Sequence, residues 1–235
     1  MSLRLAIWDM DGTIVDSREV ITTAMARAFE TCGLAAPGYE ATRRIVGLGL
    51  EEACRRLAPP DYPASDLTRL VAAYRQAFVA RRADPGFREP LYDGAVATLE
   101  RLAAEGWLIA MATGKSRRGI RALFEMHPLE RFFDTIHCAD DGPGKPHPAM
   151  VVEAMKATGT EAHQALIIGD AVHDIEMGRN AGIHTIGVSW GFGRADELDA
   201  AGADVLSHDF EALNAALDAF GDGLDGAAQA GRREP

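Results

Sequence analysis

The sequence has few cysteines, few aromatic residues, no excess of basic charge and no long apolar run. Its three cysteines, Cys32, Cys54 and Cys138, are an odd number at wide spacing, and no Cys-x-x-Cys pair or neighbouring histidine pattern accompanies them. The spacing therefore excludes a disulfide framework and argues against a zinc site. We expect all three to be reduced core residues.

The scarcity of basic residues limits the classes of partner that the protein is expected to bind. The 24 Lys and Arg stand against 35 Asp and Glu, for a net charge of −11. Without a broad basic surface, nucleic acid and an anionic membrane are not expected partners. The opening MSLRLAIWDMDG reaches an aspartate after a short apolar run, so we interpret it as neither a signal peptide nor a membrane span and expect a cytoplasmic protein.

The sequence has the composition of a globular protein, and its pattern is that of an α/β fold. Residues 3–8 form a short, almost wholly apolar run that predicts a buried strand. After Pro90, helical and strand-like segments alternate, which predicts a parallel sheet flanked by helices. Residues between 17 and 83 show helical spacing without a convincing strand, which indicates a helical insert.

This pattern predicts a division of the chain into three parts. We expect an α/β core domain from residues 1–15 and 89–220, and a small helical domain from residues 16–88 inserted after the first strand. The remaining residues, 221–235, are rich in Gly, Asp and Ala, so we expect a disordered tail.

Polar residues follow four of the predicted strands. In open parallel sheets, ligands bind beyond the carboxyl ends of the strands. The four groups are Asp9 to Thr13, Thr113 to Ser116, the loop around Lys145, and Asp170 to Asp174. Each has an ordinary structural explanation, but four together at one edge of a sheet indicate a single site.

The first group, DMDGTIVDS, carries two carboxylates separated by one residue. Gly12 allows a turn that brings Asp9 and Asp11 to the same cleft. One carboxylate can then act as a nucleophile while the other transfers protons. The alternative is a surface turn with capping aspartates, since Asp-Gly turns are common.

The second and third groups offer contacts for an anion. In ATGKS, the Thr113 hydroxyl and the backbone N–H groups near Gly114 precede a helix and suit phosphoryl oxygens, although a simple helix cap would look the same. The glycine that a Walker A loop requires upstream is missing, which excludes that motif. Lys145 lies in a loop that Pro146 and Pro148 restrict, so the loop could hold a positive charge in a fixed position; a solvated lysine is the alternative.

The fourth group, GDAVHD, places Asp170 directly after a strand and Asp174 one helical turn later. Mg²⁺ is commonly held by one or two carboxylates together with water and substrate phosphate. Asp170 and a carboxylate of the first group would meet this need. Helix capping by Asp170 and Asp174 is the alternative interpretation.

In this order and spacing, the four motifs resemble those of the haloacid dehalogenase-like hydrolases, in the subfamily with a helical cap after the first motif. The resemblance extends to about Phe220 and implies a Rossmann-like sheet and a Mg²⁺ cofactor. It implies that Asp9 is the nucleophile and Asp11 the general acid and then base. It further implies that Thr113 and Gly114 contact the phosphoryl group and that Lys145 neutralises charge. The implied metal ligands are Asp9, the Asp11 backbone carbonyl, Asp170 and Asp174. Asp174 could instead contact Lys145.

The resemblance also implies an activity. The opening motif, ATGKS, KPHP and GVSWGFG are together most similar to phosphoglycolate phosphatases, so the expected partner is a small phosphorylated metabolite. Gly12 and Thr13 are expected at the substrate, and Arg43 of the insert could meet a substrate carboxylate. The alternatives are a pyrophosphatase, a nucleotide phosphatase, a phosphosugar mutase or a non-enzymatic phospho-ligand binder, whereas Asp11 and the complete magnesium set argue against a dehalogenase. The oligomeric state is not predicted.

Overall fold

A six-stranded parallel sheet organises the structure, a computed structural model that describes residues 3–230, with side chains to residue 226. The strand order is β3-β2-β1-β4-β5-β6, so the predicted parallel sheet flanked by helices is confirmed. The strands are β1 (Leu5–Trp8), β2 (Leu108–Thr113), β3 (Thr135–Cys138), β4 (Ala165–Gly169), β5 (His184–Val188) and β6 (Val205–Ser207).

The central strand β1 shows why the sheet is covered on both faces. All four of its residues are fully buried, and alternate residues of a strand face opposite sides of the sheet. Leu5 and Ile7 belong to one apolar cluster, and Ala6 and Trp8 to the other. A strand buried on both sides cannot alternate between apolar and polar residues, which is why LAIW is continuously apolar.

Helices cover both faces of the sheet. Leu99, Leu123 and Leu217 pack on the Trp8 face, whereas Val151 and Met177 pack on the Ile7 face. In the described part of the chain, no helix is both long and apolar enough to cross a membrane. The helices that follow residue 90 are α5 (Ala95–Ala104), α6 (Arg117–Met126), α7 (Ala149–Thr158), α8 (Val172–Ala181), α9 (Ala195–Ala200) and α10 (Phe210–Ala230).

Four helices lie between β1 and α5, and we call residues 18–82 the helical insert. Its apolar side chains, including Met25, Phe29 and Leu70, form a cluster of their own that Phe192 of the sheet domain joins. The insert therefore has a separate core with a link to the sheet domain. Its helices are α1 (Arg18–Thr31), α2 (Tyr39–Arg43), α3 (Leu50–Leu57) and α4 (Ala64–Arg82).

The C-terminal segment differs from the prediction of a disordered tail from residue 221. Helix α10 continues to Ala230, so the prediction is wrong for residues 221–230. Composition did not reveal the contacts that this helix makes: Phe220 packs 6.2 Å from the Trp107 ring, and Arg4 forms an ion pair with Asp225. Residues 231–235 of the predicted tail lie outside the described residues.

Close packing of α8 on the sheet predicts that Gly178→Ala is destabilising. A Cβ at Gly178 would lie 2.5 Å from Ile167 Cγ2 and 2.6 Å from Thr185 Cγ2, both on stiff strand residues. Urea unfolding should show a loss of about 1–3 kcal/mol. The matched control is Gly223→Ala on α10, where no atom lies within 4 Å of the new Cβ and a gain of up to about 1 kcal/mol is expected. Equal effects of the two substitutions would contradict the packing argument.

Candidate active site

Three buried carboxylates meet where β1 and β4 end. Asp9 follows β1, Asp170 follows β4, and Asp174 lies in the first turn of α8. One oxygen of each carboxylate lies within 4.8 Å of the other two. The backbone N–H of Asp9 donates to the carbonyl oxygen of Ile168 at 2.9 Å, which joins the two strand ends. The strand order reverses between β1 and β4, so the carboxylates meet at the switch point of the sheet.

The loop after β1 folds back over Asp170. Gly12 has φ +90°, and a Cβ there would overlap the Asp170 carboxylate. The Thr13 hydroxyl donates to Asp170 Oδ1 at 2.9 Å. Neither Gly12 nor Thr13 lines the cavity described below. The structure therefore places both residues, which the sequence analysis predicted at the substrate, against Asp170 instead.

A second loop, which the sequence analysis did not assign to the site, fixes Asp170 from the other side. The backbone N–H of Phe192 donates to Asp170 Oδ2 at 2.7 Å. A Cβ on Gly191 would overlap the Asp170 carboxylate, and one on Gly193 would overlap its backbone carbonyl. The glycines on either side of Phe192 in GVSWGFG were the sequence signal for this close approach.

Lys145 bridges two of the carboxylates. Its Nζ lies 2.6 Å from Asp9 Oδ1 and 2.6 Å from Asp174 Oδ1, and its side chain is fully buried. The other oxygen of Asp174 accepts the backbone N–H of Ala171 at 3.0 Å. Lys145 is therefore not a solvated loop lysine. Asp174 contacts this lysine, which is one of the two roles that the sequence analysis left open.

Burial and crowding shift the pKa values of these groups. Burial raises the pKa of Asp9 to about 7, although the Lys145 ammonium acts in the opposite direction. The pKa of Asp170 is raised well above its usual range by burial and by the neighbouring Asp9 and Asp174 carboxylates. Burial acts to lower the pKa of Lys145, but Asp174 and Asp9 outweigh it and raise that pKa.

The donor set fits a hard cation. Asp9 Oδ2 is buried and has no hydrogen-bond partner among the described residues. One lysine faces three carboxylates, so the cluster lacks a positive charge. Oxygen-rich sites of this kind suit Mg²⁺. The Asp11 side chain lies outside the cluster, so only its backbone carbonyl remains for the metal role that the resemblance implies.

Asp11 has a lysine partner of its own. Lys115 Nζ lies 2.9 Å from Asp11 Oδ1 and 3.6 Å from Glu89 Oε1. The other oxygen of Glu89 accepts from Arg82 of α4 at 2.8 Å. The sequence analysis missed both Lys115 and Glu89. The lysine of ATGKS, two residues after Thr113, was an available signal, but nothing in the sequence pointed to Glu89.

Thr113 and Gly114 lie at the end of β2, directly beneath the helical insert. The buried Thr113 hydroxyl accepts the backbone N–H of Lys115 at 3.2 Å. A Cβ on Gly114 would overlap the carbonyl oxygen of Gly47 and lie 2.7 Å from that of Leu48. Thr113 and Gly114 line the same cavity as Asp9, and the close approach of the insert backbone explains why a glycine is needed at position 114.

Arg43 is the predicted site residue that the structure does not bring to the others. Its guanidinium donates to both oxygens of Glu197, at 2.7 and 2.8 Å, and to Glu40 at 2.9 Å. The residue is buried and does not line the cavity. Arg43 therefore joins the insert to α9, and the predicted contact with a substrate carboxylate is wrong because this arginine already has two carboxylate partners.

A cavity of about 920 Å³ opens between the sheet edge and the insert. The sheet domain contributes Asp9, Asp11, Thr113, Gly114 and Lys145 to its lining. Residues of α1, α3 and α4 form the opposite wall. The Asp9 carboxylate, the adjacent Asp11 and the buried Lys145 thus face one cavity.

Comparison with known proteins agrees with this geometry. The family model described as haloacid dehalogenase-like hydrolase matches residues 6–188, which include every member of the carboxylate cluster and Lys145. The chain belongs to the haloacid dehalogenase-like hydrolase family. The family resemblance carried by the four motifs is thereby confirmed.

Relatives within the family share most of the chain. A protein named "Probable phosphatase IndB" from Dickeya dadantii is 34% identical over 219 residues, which are 92% of this chain and 94% of the relative. A phosphoglycolate phosphatase from Agrobacterium fabrum is 30% identical over 218 residues, 91% of each chain. The crystal structure of a "predicted phosphatase" from Clostridium acetobutylicum superposes with a TM-score of 0.79 at 26% identity, covering 90% of this chain and 97% of the other.

The raised pKa of Asp9 predicts how stability depends on pH in the presence of a chelator. An aspartate in the unfolded chain has a pKa of about 3.9, so the folded state retains the Asp9 proton to higher pH, up to about 7. The resulting stabilisation is complete below about pH 4 and is lost as the pH rises through about 7. Asp9→Asn, which cannot titrate, should therefore gain stability relative to the wild type between pH 5 and 8, by at most about 1.4 kcal/mol per pH unit.

Urea unfolding in EDTA measures this difference. The matched control is Asp222→Asn at an exposed position of α10, which should follow the wild-type curve. A difference between Asp9→Asn and the wild type that does not change with pH would contradict the shifted pKa of Asp9.

Proposed function

We propose that the protein is a Mg²⁺-dependent phosphatase that hydrolyses the phosphate monoester of a small metabolite through a phosphorylated Asp9. The observation that carries the proposal is the arrangement of Asp9 in the cavity. One of its oxygens is held at 2.6 Å by Lys145, and the other has no hydrogen-bond partner among the described residues. A carboxylate fixed in this way is suited to attack on phosphorus.

The reaction would proceed in two displacements. In the first, an oxygen of Asp9 attacks phosphorus, the bond to the alcohol oxygen breaks, and Asp11 donates a proton to that oxygen. In the second, Asp11 takes a proton from water as the water oxygen attacks phosphorus, which releases phosphate and restores the Asp9 carboxylate. Lys115 would position Asp11, since its contact with Asp11 Oδ1 holds that carboxyl group at the cavity wall.

The remaining groups would oppose the build-up of negative charge. Lys145 neutralises Asp9 and Asp174, and the Thr113 and Gly114 backbone offers donors to the phosphoryl oxygens. Asp9, Asp170 and the backbone carbonyl of Asp11 would hold Mg²⁺, with Asp174 acting mainly through Lys145. A bound Mg²⁺ would neutralise the carboxylates and withdraw charge from the phosphoryl group.

The helical insert and the residues that flank it, 16–88 in all, would act as a cap that excludes water and selects the substrate. Its contacts support this role, because Gly47 and Leu48 lie against Gly114 at the phosphoryl position. Arg82 of the insert reaches Glu89, which in turn lies beside Lys115, so the cap is connected to the partner of Asp11.

The name of the Agrobacterium relative makes 2-phosphoglycolate the first substrate to test. Pyrophosphate, nucleotides and a phosphosugar mutase reaction are the alternatives within the same chemistry. Release of inorganic phosphate separates hydrolysis from a mutase reaction, and the absence of turnover on every ester would favour a non-enzymatic phospho-ligand binder.

Metal removal should abolish activity, because the crowded carboxylates would repel the anionic substrate. Phosphate release after exhaustive chelation should fall at least about a hundredfold and return on addition of Mg²⁺. Asp170→Asn should need more Mg²⁺ for half-maximal activity and should show a smaller rise in Tm with Mg²⁺ than the wild type. Full activity in protein shown to be metal-free would exclude the magnesium role.

Substitution of the two aspartates should separate their roles. Asp9→Asn should be inactive on every substrate, because the covalent bond cannot form. Asp11→Asn should lose most activity on alkyl phosphates, whose leaving alcohols need a proton, and much less on aryl phosphates with acidic phenols. The measurement is kcat/KM over a series of leaving-group pKa values. Equal losses across the series, or a phosphoryl group trapped on a residue other than Asp9, would be incompatible with these roles.

A further inference from the structure

The cavity wall next to Asp11 indicates the kind of alcohol that leaves. We propose that the alcohol part of the substrate is larger than a two-carbon acid and carries apolar or aromatic surface, and that Phe78, Val79 and Met126 recognise it. This inference rests on the proposed phosphatase function and narrows its substrate class. It assigns specificity to one helix of the insert and one helix of the sheet domain.

The size of the cavity does not result from a detached insert. The insert contacts the sheet domain through the bidentate Arg43–Glu197 pair and through the Gly47 backbone against Gly114. Arg82 of the insert also donates to Glu89 at 2.8 Å. With these contacts in place, the cavity measures about 920 Å³. Pockets for drug-sized ligands span about 300–1,000 Å³, so a two-carbon ester would leave most of this space empty.

Apolar side chains of α4 and α6 form part of the cavity wall, beside the charged Arg75, Arg82, Arg118 and Glu125 of the same two helices. Tyr74, Phe78 and Val79 of α4 and Ala122 and Met126 of α6 line the cavity. Val79 is 54% exposed and Met126 is 40% exposed. Among the described residues, the other large apolar side chains with comparable exposure are Leu3 and Tyr39, which do not line the cavity.

Single exposed apolar residues are common on protein surfaces, but Val79 and Met126 belong to one cavity wall. Val79 comes from the insert and Met126 from the sheet domain, so the two helices together present apolar surface to a single space. An apolar ligand in that space would remove both side chains from water.

The apolar wall also lies beside the position from which the alcohol departs. Lys115 Nζ is 5.4 Å from the centre of the Phe78 ring and 2.9 Å from Asp11 Oδ1. Since Asp11 is the residue proposed to protonate the leaving oxygen, the rest of the alcohol must extend from that point. Phe78 is therefore placed to contact the alcohol and not the phosphoryl group.

Two primary alkyl esters test the inference without a large difference in leaving-group chemistry. Ethyl phosphate and 2-phenylethyl phosphate both release a primary alcohol, and they differ mainly in apolar bulk. With Mg²⁺ present, kcat/KM should be at least about tenfold higher for 2-phenylethyl phosphate, since a single hydrophobic pocket contact discriminates by about 10–200-fold. It should also exceed kcat/KM for 2-phosphoglycolate.

Substitutions in the wall test whether Val79 and Met126 cause the preference for 2-phenylethyl phosphate over ethyl phosphate. Val79→Ser and Met126→Ser, both at exposed positions, should each lower the ratio of the two kcat/KM values by at least about threefold, whereas Leu3→Ser should leave it unchanged. A ratio near one in the wild type, or the same ratio in all variants, would overturn the inference. A change in sedimentation mass in Val79→Ser or Met126→Ser with an unchanged ratio would assign the pair to self-association, and would also overturn it.

Binding separates this inference from the proposed function. Ethylphosphonate and 2-phenylethylphosphonate cannot be hydrolysed at the phosphorus–carbon bond, so calorimetry with the Mg²⁺-loaded protein measures recognition alone. Tighter binding of the phenylethyl compound, together with no turnover of any ester, would retain the apolar wall and exclude the phosphatase. Turnover of esters together with equal binding of the two phosphonates would retain the phosphatase and exclude recognition by the apolar wall.

Discussion

The buried contact of Lys145 with Asp9 and Asp174 is the interaction on which the rest of the site depends. Buried charges need a partner of opposite charge, and removing one partner of such a contact costs about 3–5 kcal/mol. Lys145 is a shared partner of both carboxylates, at 2.6 Å from each. It leaves one Asp9 oxygen free and a surplus of negative charge, which are the two properties that a phosphoryl-transfer site with a metal requires.

The backbone of two loops approaches Asp170 closely, and glycines make this approach possible. Gly12, Gly191 and Gly193 surround Asp170, and a Cβ at any of these positions would overlap it. The Thr13 hydroxyl and the Phe192 N–H then fix the two carboxylate oxygens. Asp170 is consequently held in one orientation, with its carboxylate beside those of Asp9 and Asp174.

The helical insert reaches the contacts of Asp11 through polar side chains and lines the cavity with apolar ones. The chain of contacts from Arg82 through Glu89 and Lys115 reaches Asp11. Phe78 lies next to that chain and opens onto the cavity. Selection of the alcohol and control of its proton are therefore proposed to take place at adjacent positions, within reach of a single helix of the insert.

The sequence by itself determined the sheet, the insert and the principal site groups, because these depend on local patterns. Strands buried on both faces are continuously apolar. Asp9 and Asp170 directly follow β1 and β4, Thr113 ends β2, and Lys145 lies in the loop after β3. The tertiary structure alone decided the role of Arg43, the place of Lys115 beside Asp11, and the helix beyond residue 221. The partners involved, Glu197, Glu89 and Arg4, are distant in sequence, and a side chain reveals no partner until the fold brings its charge or surface into contact.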